Sequence, residues 1–568
     1  MPGQSSVLLC IYISSDSLLI LPAFVIIINL MADYMIRGDA FHMILFKNAN
    51  FITCEPGMNQ TYDAMAVDKG RIAWIGGEAP EAYRNVPTVD LDGAVVTPAF
   101  GDTHIHFESF SMFANSFFVM NAASLDEAGQ IVSAYAKMHT KEKVVFGFGC
   151  SAHPVAEKRL PTKSDLDKWT GRPLIIVKYD GHAAVCNTAL MALLSKEVTS
   201  DPGCVKETGW LYQNAFFNGV NEVTAMIPTM TIVAGLSKGA DSLARAGIGL
   251  VHCVEGVGFP KDIDVDMMRI FSPGLPNAYR MFFQTMDIKA VQKRKLTRVG
   301  GCFKLALDGC FGSQDAALSE PYTGNPDNRG KLFYTQEQVN DFCVSANRAG
   351  LQIAMHAIGD EAVEQAVTAF ETALADNPRE DHRHVLIHCS LCTPQQLDRL
   401  AALYVSIALQ APTIIWPQEP TEYLRGILGD ERAKRISPLK SMLDRGIMLG
   451  DGSDAPATYP DPLYGMHCAV NHPNPAERIS PLDALMMRTY NPAYLSFDEA
   501  NRGSLTVGKI ADFVLLSANP LTVEPEKIKD IGVLGLYLGG KKYQTKLKNA
   551  AGLLFDSLRR RIFRKAFI

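Results

Sequence analysis

Val96 to Phe107 reads VTPAFGDTHIHF, and far downstream Met448 to Pro456 reads MLGDGSDAP. In an extended strand, residues two apart project from the same face, so His104 and His106 present their imidazoles side by side. Such a pair suits a first-row metal ion, and Asp454 in the downstream stretch can act as both ligand and proton acceptor. A bare His-x-His is more often an ordinary exposed strand, so the sequence around it decides the matter.

After Phe100, apolar strand-like runs alternate with amphipathic stretches such as DEAVEQAVTAFETALAD and TPQQLDRLAALY. This is the rhythm of βα units building a parallel sheet. Eight runs can be counted: VVTPAFGDTHIH, GIGLVHCVE, AYRMFFQ, GCFKLALD, GLQIAMHA, RHVLIHC, YVSIALQ and GIMLGDGSD. They predict an α/β protein built on a (β/α)8 TIM barrel, whose chemistry gathers at the C-terminal strand ends. In order, those ends offer His104 and His106, His252, Gln284, Lys304, His356, His388, Gln410 and Asp454. So many ionisable groups at one mouth point to a metal or acid–base site rather than to packing.

The barrel is expected over 98–500. Residues 43–97 read as short alternating strands split by Gly, Asp-Lys-Gly and Pro, and residues 501–545 return to strands in GSLTVGKIADFVLLSANPL and GVLGLYLGGKKYQ. Together they predict a small β-sandwich domain formed by both ends of the chain. The stretch of about 107–240 is far longer than an ordinary βα connection. It holds its own apolar run, RPLIIVKYDGHAAV, and the turn-rich TSDPGCVKETGWLYQNA. An inserted subdomain roofing the barrel mouth is expected there. Its His182 and Trp210 are candidates for the substrate pocket, or else hold the insert together.

The chain has 568 residues, 47% hydrophobic and 20% charged, the balance of a globular protein. A net charge of -6 argues against a nucleic-acid surface, which needs clustered positive charge. Twelve cysteines without framework spacing suit the reduced thiols of a cytoplasmic enzyme, and Cys389 and Cys392 read as two loop thiols. Leu18 to Met31 is strongly apolar but shorter than the roughly 20 residues that span a bilayer. No Lys or Arg precedes Arg37, unlike a secretory signal. Residues 1–42 are therefore read as an N-terminal extension, with Met31, Met35 or Met43 as a later start. No stable membrane insertion is expected, a signal anchor being the alternative. The tail, 546–568, reads as a basic amphipathic helix, docked by Leu553, Leu554, Leu558 and Ile562 or else bound to a membrane surface or a partner.

PAFGDTHIH, FKLALDGCFGS, MHAIGDEAV, LIHCS, LGDGSDAP and the closing GSLTVGKIADFVLL resemble, in this order, the amidohydrolase superfamily of metal-dependent hydrolases. The branch most similar is the YtcJ-like group that includes N-substituted formamide deformylase. LPTKSDLD, RPLIIVKYDGHAAVCNTAL and DPGCVKETGWL extend that resemblance through the insert, so that it runs from about Leu45 to Tyr543. It implies one or two divalent metal ions, zinc first, held by His104, His106, Lys304, His356, His388 and Asp454. Lys304 would be carboxylated by CO2 and bridge two metals as a carbamate. Between Phe303 and Leu305, an unmodified ammonium would be a costly buried cation. His252 shares the strand-end position without a family ligand role and is placed beside the substrate. Two departures stand out: Ile387 precedes His388 where an acidic residue is usual, and Ala455-Pro456 follows Asp454 where tryptophan is common.

The expected reaction is hydrolysis of a non-peptide C–N bond in a small molecule, an N-acyl or N-formyl amide. Metal-activated water attacks the carbonyl, and Asp454 carries its proton to the leaving nitrogen. One alternative is a mononuclear deaminase of the same superfamily acting on an aminated heterocycle. Another is a non-catalytic binding protein on the same barrel. Homo-oligomers are common in the superfamily, but no feature of the sequence sets a subunit number.

Overall fold

The computed structural model describes residues 43–58 and 60–566. The expected extension over 1–42 lies outside the described residues.

Eight parallel strands follow one another around a barrel in chain order. They are Phe100–Ile105, Ile248–Glu255, Ala278–Phe283, Arg298–Ala306, Gln352–Ala357, Val385–His388, Ser406–Leu409 and Leu449–Asp451. The first, second, fifth and sixth are buried at every residue, which is why they read as continuous apolar runs rather than alternating ones. The ends of the first and last strands meet where Asp454 N donates to His104 O at 2.8 Å. On the outside, helices Gln336–Arg348 and Pro394–Ala402 begin with Thr-x-x-Gln capping boxes, at Thr335 and Thr393. Each buries an apolar stripe, for example Val339, Phe342, Cys343 and Ala346.

A second eight-stranded sheet joins the two ends of the chain. Val95–Pro98 pairs antiparallel with Phe513–Leu516, register Val95 to Leu516. Phe46, Phe513 and Tyr537 form an aromatic centre, with Phe513 stacked on Tyr537 at 4.5 Å between ring centroids.

Between the first and second barrel strands lies a six-stranded sheet drawn from Phe117–Phe118, Val145–Cys150, Leu174–Lys178, Ala183–Cys186, Cys204–Val205 and Trp210–Tyr212. Helix Thr229–Arg245 then packs against Phe107–Phe113 and brings the chain back to the barrel.

The C-terminal helix, Ala550–Ala566, lies against Ser272–Gly274. Contact there is close: a Cβ on Gly274 would sit 2.5 Å from Ser557 Oγ and 2.7 Å from Leu553 O. The docked face is Ala550, Leu553 and Ser557, all buried, whereas Leu554, Leu558 and Ile562 are 39%, 39% and 54% exposed. The stripe read from the sequence therefore docks only through Leu553. Among the described residues, no helix is long and apolar enough to cross a membrane.

Candidate metal centre

His104 lies near the end of the first barrel strand and His106 just past it, capping helix Phe107–Phe113, and both are buried. Asp454 follows the eighth strand in a left-handed conformation, φ 55°. That bend brings its Oδ1 to 3.1 Å from His104 Nε2 and 3.3 Å from His106 Nε2. The approach needs Gly452, where a Cβ would lie 2.5 Å from His104 N. Behind it, the buried Asp102 accepts from His104 N at 3.2 Å and Ser453 N at 3.0 Å, joining the two strands through one carboxylate.

His388 and Cys389, at the end of the sixth strand, are also left-handed, φ 66° and 51°. Such non-glycine positions cost of order 1–3 kcal/mol each and gather at functional sites. The His388 ring lies 5.6 Å from that of His104 and 4.5 Å from that of His356, between centroids. His356 Nδ1 makes no hydrogen bond; Asp308 Oδ1 stands off at 3.4 Å, attractive only to a charged ring. Asp308 is itself held by three backbone amides, of Ala317, Ile358 and Gly359, and burial pushes it up to about 7.

Burial favours the neutral imidazole at His106, His356 and His388. It lowers His106, holds His388 well below the ordinary value and takes His356 to about 3. Burial alone would push Asp454 up, but the hydrogen bonds of His104 and His106 outweigh it, leaving the carboxylate well below its usual range. Neutral imidazoles and an ionised carboxylate are the forms that bind metal. The N···O separations also fit: tetrahedral bonds of zinc length place two such ligand atoms ~3.4 Å apart. His104, His106 and Asp454 therefore match a divalent ion in geometry, and His106 and Asp454 in charge as well.

Lys304 lies on the fourth strand, but its side chain falls outside the described residues, so the carbamate rests on resemblance alone. His182 lines the same cavity as His106, His356, His388 and Asp454, and its amide donates to Asp180 at 3.2 Å. Trp210 does not line it. Its ring is buried in the core of the insert beside Val145, Leu174 and Ile176, with Nε1 donating to Pro161 O at 3.0 Å. It holds the insert together. His252 is likewise absent from the cavity wall; it sits in a small space beneath His104 with Thr103, Phe282 and Leu495. The second strand runs on to Glu255, so His252 is not at its end.

That extension brings Glu255, missed in the sequence, into the cavity wall. Burial and the neighbouring Asp264 raise its carboxyl well above the usual range. The run GIGLVHCVE does end in this residue, so the signal was present. Cys302 is a second unforeseen resident of the wall.

The cavity measures about 910 Å³ counting its open mouth. The insert and neighbouring loops line it with Phe113, Phe146, Phe148, Phe216, Phe217 and Phe259. Polar ties hold the insert over the barrel. Lys178 Nζ, paired with Asp180 of the insert itself at 2.6 Å, donates to Ser313 Oγ at 2.9 Å, Tyr179 donates to Glu419 at 3.2 Å, and Gln418 donates to Met120 O at 3.0 Å.

Residues 87–542 match the Amidohydrolase family. The putative amidohydrolase YtcJ of Bacillus subtilis is 26% identical, covering 84% of this chain and 95% of its own. The N-substituted formamide deformylase of Arthrobacter pascens is 24% identical, covering 88% and 97%. Among solved structures, an uncharacterized metal-dependent hydrolase from Pyrococcus furiosus superposes with a TM-score of 0.68 at 25% identity, over 84% of this chain and all of that one. A match of this extent, with the barrel and its clustered histidines, means that the chain belongs to the Amidohydrolase family.

Proposed function

We propose that the protein is a zinc-dependent amidohydrolase that cleaves an N-acyl or N-formyl amide of a small molecule bearing an apolar N-substituent. The observation that carries this reading is the placement of Asp454 between His104 and His106 beside a phenylalanine-lined chamber. The full-length likeness to an N-substituted formamide deformylase supports the choice of bond.

A divalent ion, when bound, polarises a carbonyl and makes water more acidic. His104, His106 and Asp454 would hold it, with His356, His388 and a carboxylated Lys304 holding a second. Asp454, kept ionised by its two imidazole partners, accepts a proton from the attacking water and returns it to the departing nitrogen. His182 in the cavity wall is a hydrogen-bond partner for the carbonyl oxygen. The phenylalanine chamber receives the N-substituent and keeps bulk water from the reacting carbon. All eleven cysteines among the described residues are free, in keeping with a reducing cytoplasm.

The test is metal content per chain together with a panel of N-formyl and N-acyl amines, followed by release of the free acid. Acid release with apolar-substituted amides, and loss of metal in Lys304→Ala, are expected. Ammonia release from aminated heterocycles, with one metal per chain unchanged in that variant, would replace this reading with a mononuclear deaminase.

A further inference from the structure

The fourth barrel strand, RVGGCFKLA, departs from regular geometry where it meets the metal site. Gly300 and Gly301 take φ of 107° and 135°. A side chain at Gly300 is impossible, since a Cβ there would lie 1.9 Å from Ala354 O. Pairing with the fifth strand runs regularly from Arg298 with Gln352 to Gly301 with Met355, then resumes only at Ala306 with His356. Five steps on one strand cover a single step on the other. Cys302 is the first residue of that bulge, and bulges beside active sites re-aim side chains.

Cys302 is buried, 5% exposed. Its Sγ lies 3.2 Å from His104 Nε2 and 3.7 Å from His388 Nε2. Other buried thiols face different partners: Cys150 points at the Ile176 and Val177 carbonyls, and Cys343 at the Met355 sulfur. Cys302 alone among them has two imidazole nitrogens in front of it and an open cavity beside it. Zinc bonds of ~2.0–2.1 Å to nitrogen and ~2.3 Å to sulfur, at a tetrahedral angle, put N and S ~3.5 Å apart. The separation from His104, 3.2 Å, is close to that value. His104, Cys302 and His388 thus form a donor set alongside that of His104, His106 and Asp454, with His104 common to both.

We propose that Cys302 is a ligand, through Sγ, of the metal ion that His104 holds. This rests on the metal-centre reading above and deepens it by naming a sulfur donor. The S–H proton leaves to solvent as the metal–sulfur bond forms. A thiolate adds negative charge to the centre and selects against hard, oxygen-loving ions such as magnesium and manganese in favour of zinc. The register slip begins at Gly301, immediately before Cys302.

The test is replacement of the native metal in the full chain by cobalt(II), recording the visible d–d bands and the near-ultraviolet sulfur-to-cobalt charge-transfer band. The wild type should show both. Cys302→Ser should keep the d–d bands and lose the charge-transfer band, whereas Cys253→Ser should keep both. Zinc X-ray absorption on the wild type provides a readout that needs no variant, with sulfur expected at ~2.3 Å, one atom per chain shared over the zinc ions bound. Cobalt bound with d–d bands but no charge-transfer band, or a band that survives in Cys302→Ser, overturns the thiolate and leaves the amidohydrolase reading standing. Failure to bind cobalt or zinc at all overturns both.

Discussion

Arg488 Nε lies 2.7 Å from Asp451 Oδ2, and the two side chains are 0% and 2% exposed. Asp451 ends the eighth barrel strand and also accepts from Ala411 N at 2.8 Å, while Asp102 on the first strand is attracted by the same guanidinium. One buried cation therefore serves the seam on which His104 and Asp454 stand. Removing it in Arg488→Ala strands two carboxylates away from water and should lower unfolding free energy by about 3–5 kcal/mol. Urea denaturation measures this. Replacing both partners, Arg488→Met with Asp451→Leu, should recover only part of the loss, because Asp102 then still stands buried without the guanidinium.

Asp454→Asn keeps the shape of the side chain but cannot take a proton. Turnover should fall by roughly 10²–10⁴-fold, the usual contribution of a positioned acid–base group. Metal analysis of the same sample separates that loss from a loss of ligation. Near-native turnover with metal intact would falsify the proton-transfer role.

Metal should stabilise the fold, since its ligands come from strands that are brought together only in the native barrel. Chelation should lower the thermal midpoint, and zinc restored at about 100-fold over its dissociation constant should return ~2.7 kcal/mol. In His104→Ala the midpoint should respond little to either treatment. Differential scanning calorimetry reads all three states.

Glu419 supplies a pH dependence. Its burial, with Asp180 close by, raises its carboxyl from 4.5 to about 7. A raised acid binds more protons folded than unfolded, so its stabilising share is complete below 4.5 and is lost as pH rises through about 7. Glu419→Gln, which can still accept from Tyr179, should remove that share of the slope. The difference between urea midpoints measured on either side of this window should shrink in the variant. An unchanged difference would mean that Glu419 does not titrate there.

The barrel was legible because most of its parallel strands are covered on both faces and so leave unbroken apolar runs. His104, His106, His356, His388 and Asp454 were legible because they sit at or just past the ends of such runs. Cys302 was not, because its position depends on a register slip that a linear reading of GCFKLALD does not reveal. Trp210 stayed open for a related reason: a tryptophan in a roofing insert can face the pocket or the insert's own core, and only the pairing of Val185 with Trp210 places it. Arg488 left no sequence signal, since its partner lies on another element and a lone arginine in a helix reads as surface.

The backbone bond from Asp454 to His104 has a consequence for biosynthesis. A ribosome releases the first strand long before the last, so the histidine pair waits without its carboxylate while most of the chain is made. A metal held by these three ligands would therefore be captured late, after arrival of the eighth strand. The strand Phe513–Leu516, which completes the terminal sheet, emerges later still. A chain cut short before Asp454 would carry the histidines yet have no complete centre, and no fragment of this enzyme is a smaller version of it.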